Sequence, residues 1–269
     1  MPSVPTRGKH APPEQPSTGP RAPQPPDPCS AGPAERKPQP GAPDPWSAGP
    51  AEPQLKPGEL HLWRASLDHV EDGLIRLLCE EESRRAARML GARDRMLWTR
   101  SRGVLRALLG SYLERDPGTL SFTHGPHGKP ALADGPISFN LSHSAGVALY
   151  ALHATRAVGV DVQVARPSID HVALARRFLP PPEAHRLARL GPDARPREFL
   201  RAWVRHEASV KCRGIGIRAA TAGESHRSSG ALSLTDLDVG FDAIGAVACD
   251  GPVLEMRCWR WPPAGLATG

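Results

Sequence analysis

Apolar and polar positions first fall into a regular pattern at Glu59-Leu-His-Leu-Trp-Arg-Ala65, where they alternate as in a half-buried strand. From Glu80 to Glu114 the period becomes that of a helix, with a break expected near Gly91. Leu97, Val104, Leu105, Leu108, Leu109 and Tyr112 share one stripe of it, which predicts a core-facing side. The opposite face carries Arg84, Arg85, Arg88, Arg93, Arg95, Arg100 and Arg102, a solvated surface that could also cradle phosphate. Asp116-Pro-Gly118 ends the helix in a turn. A loop at 124–130 leads into three short strands, Ile137–Ser142, Val147–His153 and Ala157–Val164. Residues Ile169 to Leu190 read as a helical pass interrupted by Pro180-Pro-Pro182. A helix from Glu198 to Lys211 follows, then short alternating strands from Ala231 to Trp261. The order of strand, helix and strands is thus roughly repeated. The pattern predicts an α+β fold of two similar halves, residues 58–165 and 166–269, of about 100 residues each.

Composition removes the first part of the chain from that body. Of 31 prolines, 18 precede Gly58, in a stretch almost without aliphatic residues. Such a segment buries too little apolar surface to offset its ordering entropy, so residues 1–57 are expected to be a disordered Pro-rich tail. Within it Pro26-Asp-Pro-Cys-Ser-Ala-Gly-Pro-Ala-Glu35 recurs as Pro43-Asp-Pro-Trp-Ser-Ala-Gly-Pro-Ala-Glu52, which reads as duplication in a linker. Five widely spaced cysteines without a C-x-x-C pair support neither a disulfide framework nor a zinc site. The absence of a signal-peptide pattern or long apolar run adds to an expectation of a soluble, cytoplasmic protein. A net charge of +6 points to an anionic partner. Arginine dominates the cations, and the only lysines after residue 57 are Lys129 and Lys211.

The residues able to do chemistry are few. Asp161 lies in the apolar run Val158-Gly-Val-Asp-Val-Gln-Val164, where a carboxylate is costly unless paired or metal-bound. Gln163 presents its oxygen to the same face. Glu207 and Lys211, one helical turn apart, would by spacing alone be an ordinary ion pair worth a few tenths of a kcal/mol. Beside Asp161, Glu207 instead completes a hard-oxygen set suited to Mg²⁺. Ser142-His143 does not read as a nucleophile–base pair, since neighbours on a strand point apart and no G-x-S-x-G elbow is present. With Lys129, this strand end fits phosphate binding better. A nucleic-acid binder would need interleaved aromatics, and the aromatic content is only 5%.

Four motifs in order, Gly128-Lys-Pro130, Phe139-Asn-Leu-Ser-His-Ser144, Gly159-Val-Asp161 and Trp203-x-x-x-Glu-Ala-x-x-Lys211 followed by Gly214-Ile-Gly-Ile217, resemble the larger, monomeric type of 4′-phosphopantetheinyl transferase. The resemblance spans about Leu60 to Ile217. It implies two halves related by a pseudo-two-fold axis, with coenzyme A and Mg²⁺ between them. It implies transfer of the phosphopantetheine arm to a serine of an acyl or peptidyl carrier protein in polyketide, nonribosomal peptide or fatty acid synthesis, releasing adenosine 3′,5′-bisphosphate. Asp161 and Glu207, with Gln163, would hold the metal, and Glu207 or a metal-bound water would take the serine proton. Lys211 would meet the diphosphate. Arg93, His124, Gly128, Lys129, Pro130, Asn140, Ser142 and His143 would bind the nucleotide, with Arg93 and His143 at the 3′-phosphate. Gln163 stands where many relatives have an acid, and His206 where they usually have lysine. These two departures are the support for a different class, a degenerate module that binds coenzyme A or a carrier without chemistry.

Overall fold

The computed structural model describes residues 45–165, 169–215, 231–240 and 242–262. The expected tail up to residue 44, the first copy of the duplication, and Gly216-Ile217 of the last motif lie outside the described residues.

In chain order the elements are β1 (Ser47–Ala48), β2 (Glu59–Ser66), α1 (Glu80–Ala87), α2 (Ala92–Leu113), β3 (Phe122–His124), β4 (Pro130–Leu132), β5 (Ser138–Ser144), β6 (Val147–His153) and β7 (Val158–Val164). They continue with α3 (His171–Phe178), α4 (Pro181–Ala188), α5 (Arg195–Arg213), β8 (Leu232–Asp238), β9 (Ala243–Asp250) and β10 (Glu255–Arg260). The breaks follow from the residues foreseen. Gly91 is the N-cap of α2, and Pro180 separates α3 from α4. Gly214, left-handed at φ 66°, closes α5. The loop expected at 124–130 is a hairpin, β3 pairing with β4 around Gly125–Gly128.

A five-stranded sheet runs β1-β10-β2-β6-β5, and a three-stranded sheet runs β7-β9-β8. Strand alternation sorts the side chains between layers. Trp63, Ala148, Tyr150 and Leu152 pack with Leu105, Leu108 and Leu109 of α2. The opposite faces, Leu60, Leu62, Val147 and Leu149 of one sheet and Val158, Val160, Val162 and Val247 of the other, share a second core. Ala246 and Ala248 pack under Val204, Ala208 and Cys212 of α5. The layers are therefore α2, five-stranded sheet, three-stranded sheet, α5. Connectivity recurs: β2-α2-β5-β6 forms the sheet order β2-β6-β5, and β7-α5-β8-β9 forms β7-β9-β8.

Two boundaries differ from expectation. The division at residue 165 is displaced, because β7 pairs with β9 while β10 returns to pair in parallel with β2. The tail does not extend to residue 57. Trp46, 2% exposed, fills the core between the sheets, donates its indole N–H to the Asp238 carbonyl at 2.6 Å and lies against the Arg64 guanidinium. Ser47 and Ala48 pair with Trp259 and Arg260. One buried Trp is enough here because the flanking prolines have little backbone freedom to lose.

Candidate functional site

The site lies where β5, on the edge of one sheet, meets β7, on the edge of the other. The two strands share no backbone ladder. Instead, alternate side chains of β5 accept from alternate amides of β7. Asn140 Oδ1 takes the Val160 N–H at 2.9 Å, Ser142 Oγ the Val162 N–H at 3.4 Å, and Ser144 Oγ the Val164 N–H at 3.2 Å. Asn140 and Ser142, expected to bind nucleotide, are thus turned into the seam. Ser144 was not singled out beforehand, although polar residues at 140, 142 and 144 alternate with one period, and that alternation was the available signal.

On the other face, β7 meets α5 backbone to backbone. A Cβ on Gly159 would overlap the Ala208 carbonyl oxygen and the Cys212 amide nitrogen. The glycine of Gly159-Val-Asp161 is therefore the residue that lets strand and helix close up. Asp161, two residues along on the same face, is brought beneath Lys211. Its side chain is 1% exposed and three donors meet it: Oδ1 accepts from Lys211 Nζ at 2.6 Å and Ser142 Oγ at 2.7 Å, and Oδ2, which accepts from Gln163 Nε2 at 3.3 Å, keeps a lone pair. Lys211 Nζ also donates to Ser142 Oγ at 3.1 Å and to the Val160 carbonyl at 3.3 Å.

The intrahelical pair that spacing alone would suggest for Glu207 and Lys211 does not form, as the lysine reaches across to Asp161. Among the described residues Glu207 has no hydrogen-bond or ion-pair partner. Burial raises its pKa above the usual carboxylate value; Lys211 opposes this and Asp161 adds to it. Its neighbour His206 is half-buried, with Nε2 unpartnered among the described residues and its pKa lowered by burial. His143 is likewise held below its ordinary value by burial and by Lys211, with Asp94 opposing. Arg93, next to Asp94, is exposed and donates to both carboxylate oxygens of Asp68 at 3.1 and 3.3 Å.

A magnesium ion commonly takes one or two protein carboxylates and fills its remaining positions with water and substrate phosphate oxygens. Asp161 and Glu207 fit that donor set, two carboxylates near enough for one to raise the other's pKa. Among the described residues no group of three or more His, Cys, Asp or Glu offers a fuller cage. Gln163 is engaged through its amide nitrogen with Asp161, which orients the carboxylate.

Lys129 departs most from its expected role. Its Nζ donates to the carbonyls of Lys211 at 2.7 Å, Val158 at 2.8 Å and Cys212 at 3.4 Å. Gly128, at φ 79°, makes the turn that aims it, and Pro130 opens β4. His124 is exposed on β3 and lines a cavity of about 190 Å³ together with Arg85, Trp98, Arg102, Arg106 and Phe122. The solvated face expected for Arg102 is corrected: Arg102 and Arg106 are buried and each meets Glu82 at 2.6 Å. No helix among the described residues is long and apolar enough to cross a membrane.

A family model, the 4′-phosphopantetheinyl transferase superfamily, matches residues 157–249, from the start of β7 through β9. The chain is similar to the 4′-phosphopantetheinyl transferase HetI of Nostoc sp., 36% identical over 217 residues that cover 75% of this chain and 92% of the relative. A putative 4′-phosphopantetheinyl transferase of Synechocystis sp. is 36% identical over 144 residues, 52% of this chain and 58% of that protein. The 4′-phosphopantetheinyl transferase AcpT of Escherichia coli is 37% identical over 110 residues, 40% and 55% of the two chains.

Proposed function

The chain belongs to the 4′-phosphopantetheinyl transferase superfamily, and we propose that it moves the phosphopantetheine arm of coenzyme A onto a serine of an acyl or peptidyl carrier protein. The observation that carries this reading is the seam cluster: Asp161 engaged by Lys211, Ser142 and Gln163, beside a half-buried Glu207 that has no hydrogen-bond partner among the described residues. In the reaction the serine oxygen attacks the β-phosphorus of coenzyme A. The new bond is serine oxygen to phosphorus, the bond broken releases adenosine 3′,5′-bisphosphate, and the serine proton must leave. Lys211 stands where a diphosphate oxygen can replace one of its present acceptors. Glu207, held above the usual carboxylate value by burial and without a hydrogen-bond partner among the described residues, is suited to take the proton directly or through a water.

In this reading Asp161 and Glu207 hold Mg²⁺, and Gln163 orients Asp161. The ion supplies neutralisation of the diphosphate and of the departing bisphosphate. Arg93 at the start of α2, His143 on β5 and His124, which lines a recess with Arg85 as well as Glu81 and Glu82, are assigned to the nucleotide. The repeated connectivity of the two sheets supports two halves related by a pseudo-two-fold axis; that the protein is a cytoplasmic monomer of holo-[acyl-carrier-protein] synthase type belongs to the same proposal. The positive charge of +6 suits acidic carriers.

The test is to incubate the full chain with coenzyme A, Mg²⁺ and several apo carrier proteins, and to weigh the carriers. A gain of one phosphopantetheine, absent with Glu207→Ala, is the expected result. No gain on any carrier, with coenzyme A still bound, would leave a binding module, the class that Gln163 and His206 favour.

A further inference from the structure

An ammonium has three protons to donate and no acceptor of its own. Lys129 meets three backbone carbonyls, those of Val158, Lys211 and Cys212, and so has no proton left for a phosphate. Burial lowers its pKa, and among the described residues no carboxylate pairs with it. The carbonyls it holds are informative. Val158 opens β7, the strand of Asp161, and Lys211 and Cys212 form the last turn of α5. That turn is the negative end of the helix dipole, where a cation is stabilising; the Lys211 carbonyl also accepts from the Gly214 N–H at 3.2 Å and uses its second lone pair for Lys129. The same turn is the one pressed against Gly159.

We propose that Lys129 is a positioning residue for the transfer reaction: from the β3–β4 hairpin it locks the last turn of α5 to β7, and so sets Lys211 over Asp161. It acts through the main chain of Lys211, whose side-chain Nζ stands 2.6 Å from Asp161. Its ammonium touches neither substrate nor metal. A guanidinium is planar and longer and cannot converge on three carbonyls in this way, which accounts for a lysine in a chain that otherwise prefers arginine.

The inference rests on the transferase reading, and the test separates the two. Steady-state transfer is measured for wild type, Lys129→Met, Lys129→Arg, Lys211→Met and the double variant Lys129→Met/Lys211→Met. Positioning through Lys211 predicts that Lys129→Met lowers kcat on the order of 10- to 100-fold with KM for coenzyme A within about 3-fold, and that Lys129→Arg does not rescue it. It also predicts that Lys129→Met adds less than about 2-fold once Lys211 is already Met. A direct phosphate contact would raise KM about 10-fold or more at nearly unchanged kcat, with recovery in Lys129→Arg, and would overturn the proposal. Simple loss of folded protein would multiply onto Lys211→Met and overturn it equally. A wild-type chain that leaves every carrier's mass unchanged would overturn the transferase reading itself.

Discussion

The two long helices occupy equivalent places in the connectivity and treat buried charge in opposite ways. On α2, Arg102 and Arg106 both end on Glu82 of α1, and Arg100 ends on Asp72 and on backbone carbonyls. Burial alone would raise the pKa of Glu82, but the two guanidinium groups outweigh it and hold the carboxyl below its usual value. On α5, Arg201 and Arg205 are answered by Asp236 in the same manner. Two residues past Arg205 the pattern breaks: Glu207 is half-buried, is raised rather than lowered, and has no hydrogen-bond partner among the described residues. A carboxylate satisfied by two arginines is architecture. A carboxylate kept partly dry, beside a second carboxylate and without a cation of its own, is a cost the fold carries for a ligand.

The largest effect that could break this contrast comes from making the same edit on both sides. Glu82→Gln leaves two buried guanidinium groups facing an uncharged amide and should lower unfolding stability by about 3–5 kcal/mol. Glu207→Gln removes a charge that burial disfavours, so stability should stay within about 0.5 kcal/mol of wild type or rise. Urea denaturation at neutral pH compares the two. A Glu207→Gln variant as unstable as Glu82→Gln would mean that Glu207 is structural, and the contrast between the helices would be lost.

A second intervention tests whether the site depends on close approach of β7 to α5. Gly159→Ala places a methyl group against the Ala208 carbonyl and the Cys212 amide, both main chain, so no rotamer change relieves it. The expected cost is roughly 1–3 kcal/mol. Transfer should fall further than stability explains, because the added methyl moves Asp161 away from Lys211. Gly159→Ala with full activity would show that the 2.6 Å contact between those residues is not required.

The helices, their breaks at Gly91 and Pro180, and the strands β2, β5, β6 and β7 were legible because each rests on local periodicity or on a residue with restricted φ and ψ. Asp161 stands out in the sequence as a charge in an apolar run, and Glu207 and Lys211 by a spacing of one helical turn. What stayed hidden depends on partners distant in sequence. Alternation in β10 states that it is a strand but not that it pairs with β2. Nothing local shows that Lys129 will meet the end of α5, 82 residues away, rather than a phosphate. Trp46 sits in a composition typical of disorder, and its burial is decided by a gap between two sheets that form later in the chain. The seam ladder is an intermediate case. Its period is visible in Asn140, Ser142 and Ser144, but three polar groups aimed at another strand's backbone resemble a binding strand end until the second sheet is present.

The smallest expected effect is a titration. His61, His143, His153 and His206 are all held below the ordinary histidine value, with burial the first cause in each. The unfolded chain therefore takes up protons near pH 6.5 that the folded chain refuses. Stability is fully present above that pH and is lost as pH falls below it, by at most about 1.4 kcal/mol per pH unit for each group. Glu59 and Glu82, held low, contribute losses of their own only once pH drops below about 4.5. Glu207, held high, works in the opposite direction as pH falls toward that value. Between about pH 6.5 and 5 the decline should therefore belong mainly to histidine. Three of the four lie on the five-stranded sheet, and His61 there is fully buried, with Nδ1 at 2.7 Å from the Tyr112 hydroxyl and Nε2 at 3.1 Å from Glu59. Trp63 donates to the same Tyr112 oxygen at 2.9 Å, so the hydroxyl proton goes to His61 Nδ1 and the ring is the Nε2–H tautomer. Protonating Nδ1 sets a second donor against that hydroxyl. Denaturation midpoints measured at pH 7.5 and 5.5 should thus converge more in His61→Gln than in His206→Gln. The reverse order would place the acid-sensitive element on α5, beside Glu207, and would make the layer of α5 the less settled part of the fold in acid as well as in charge.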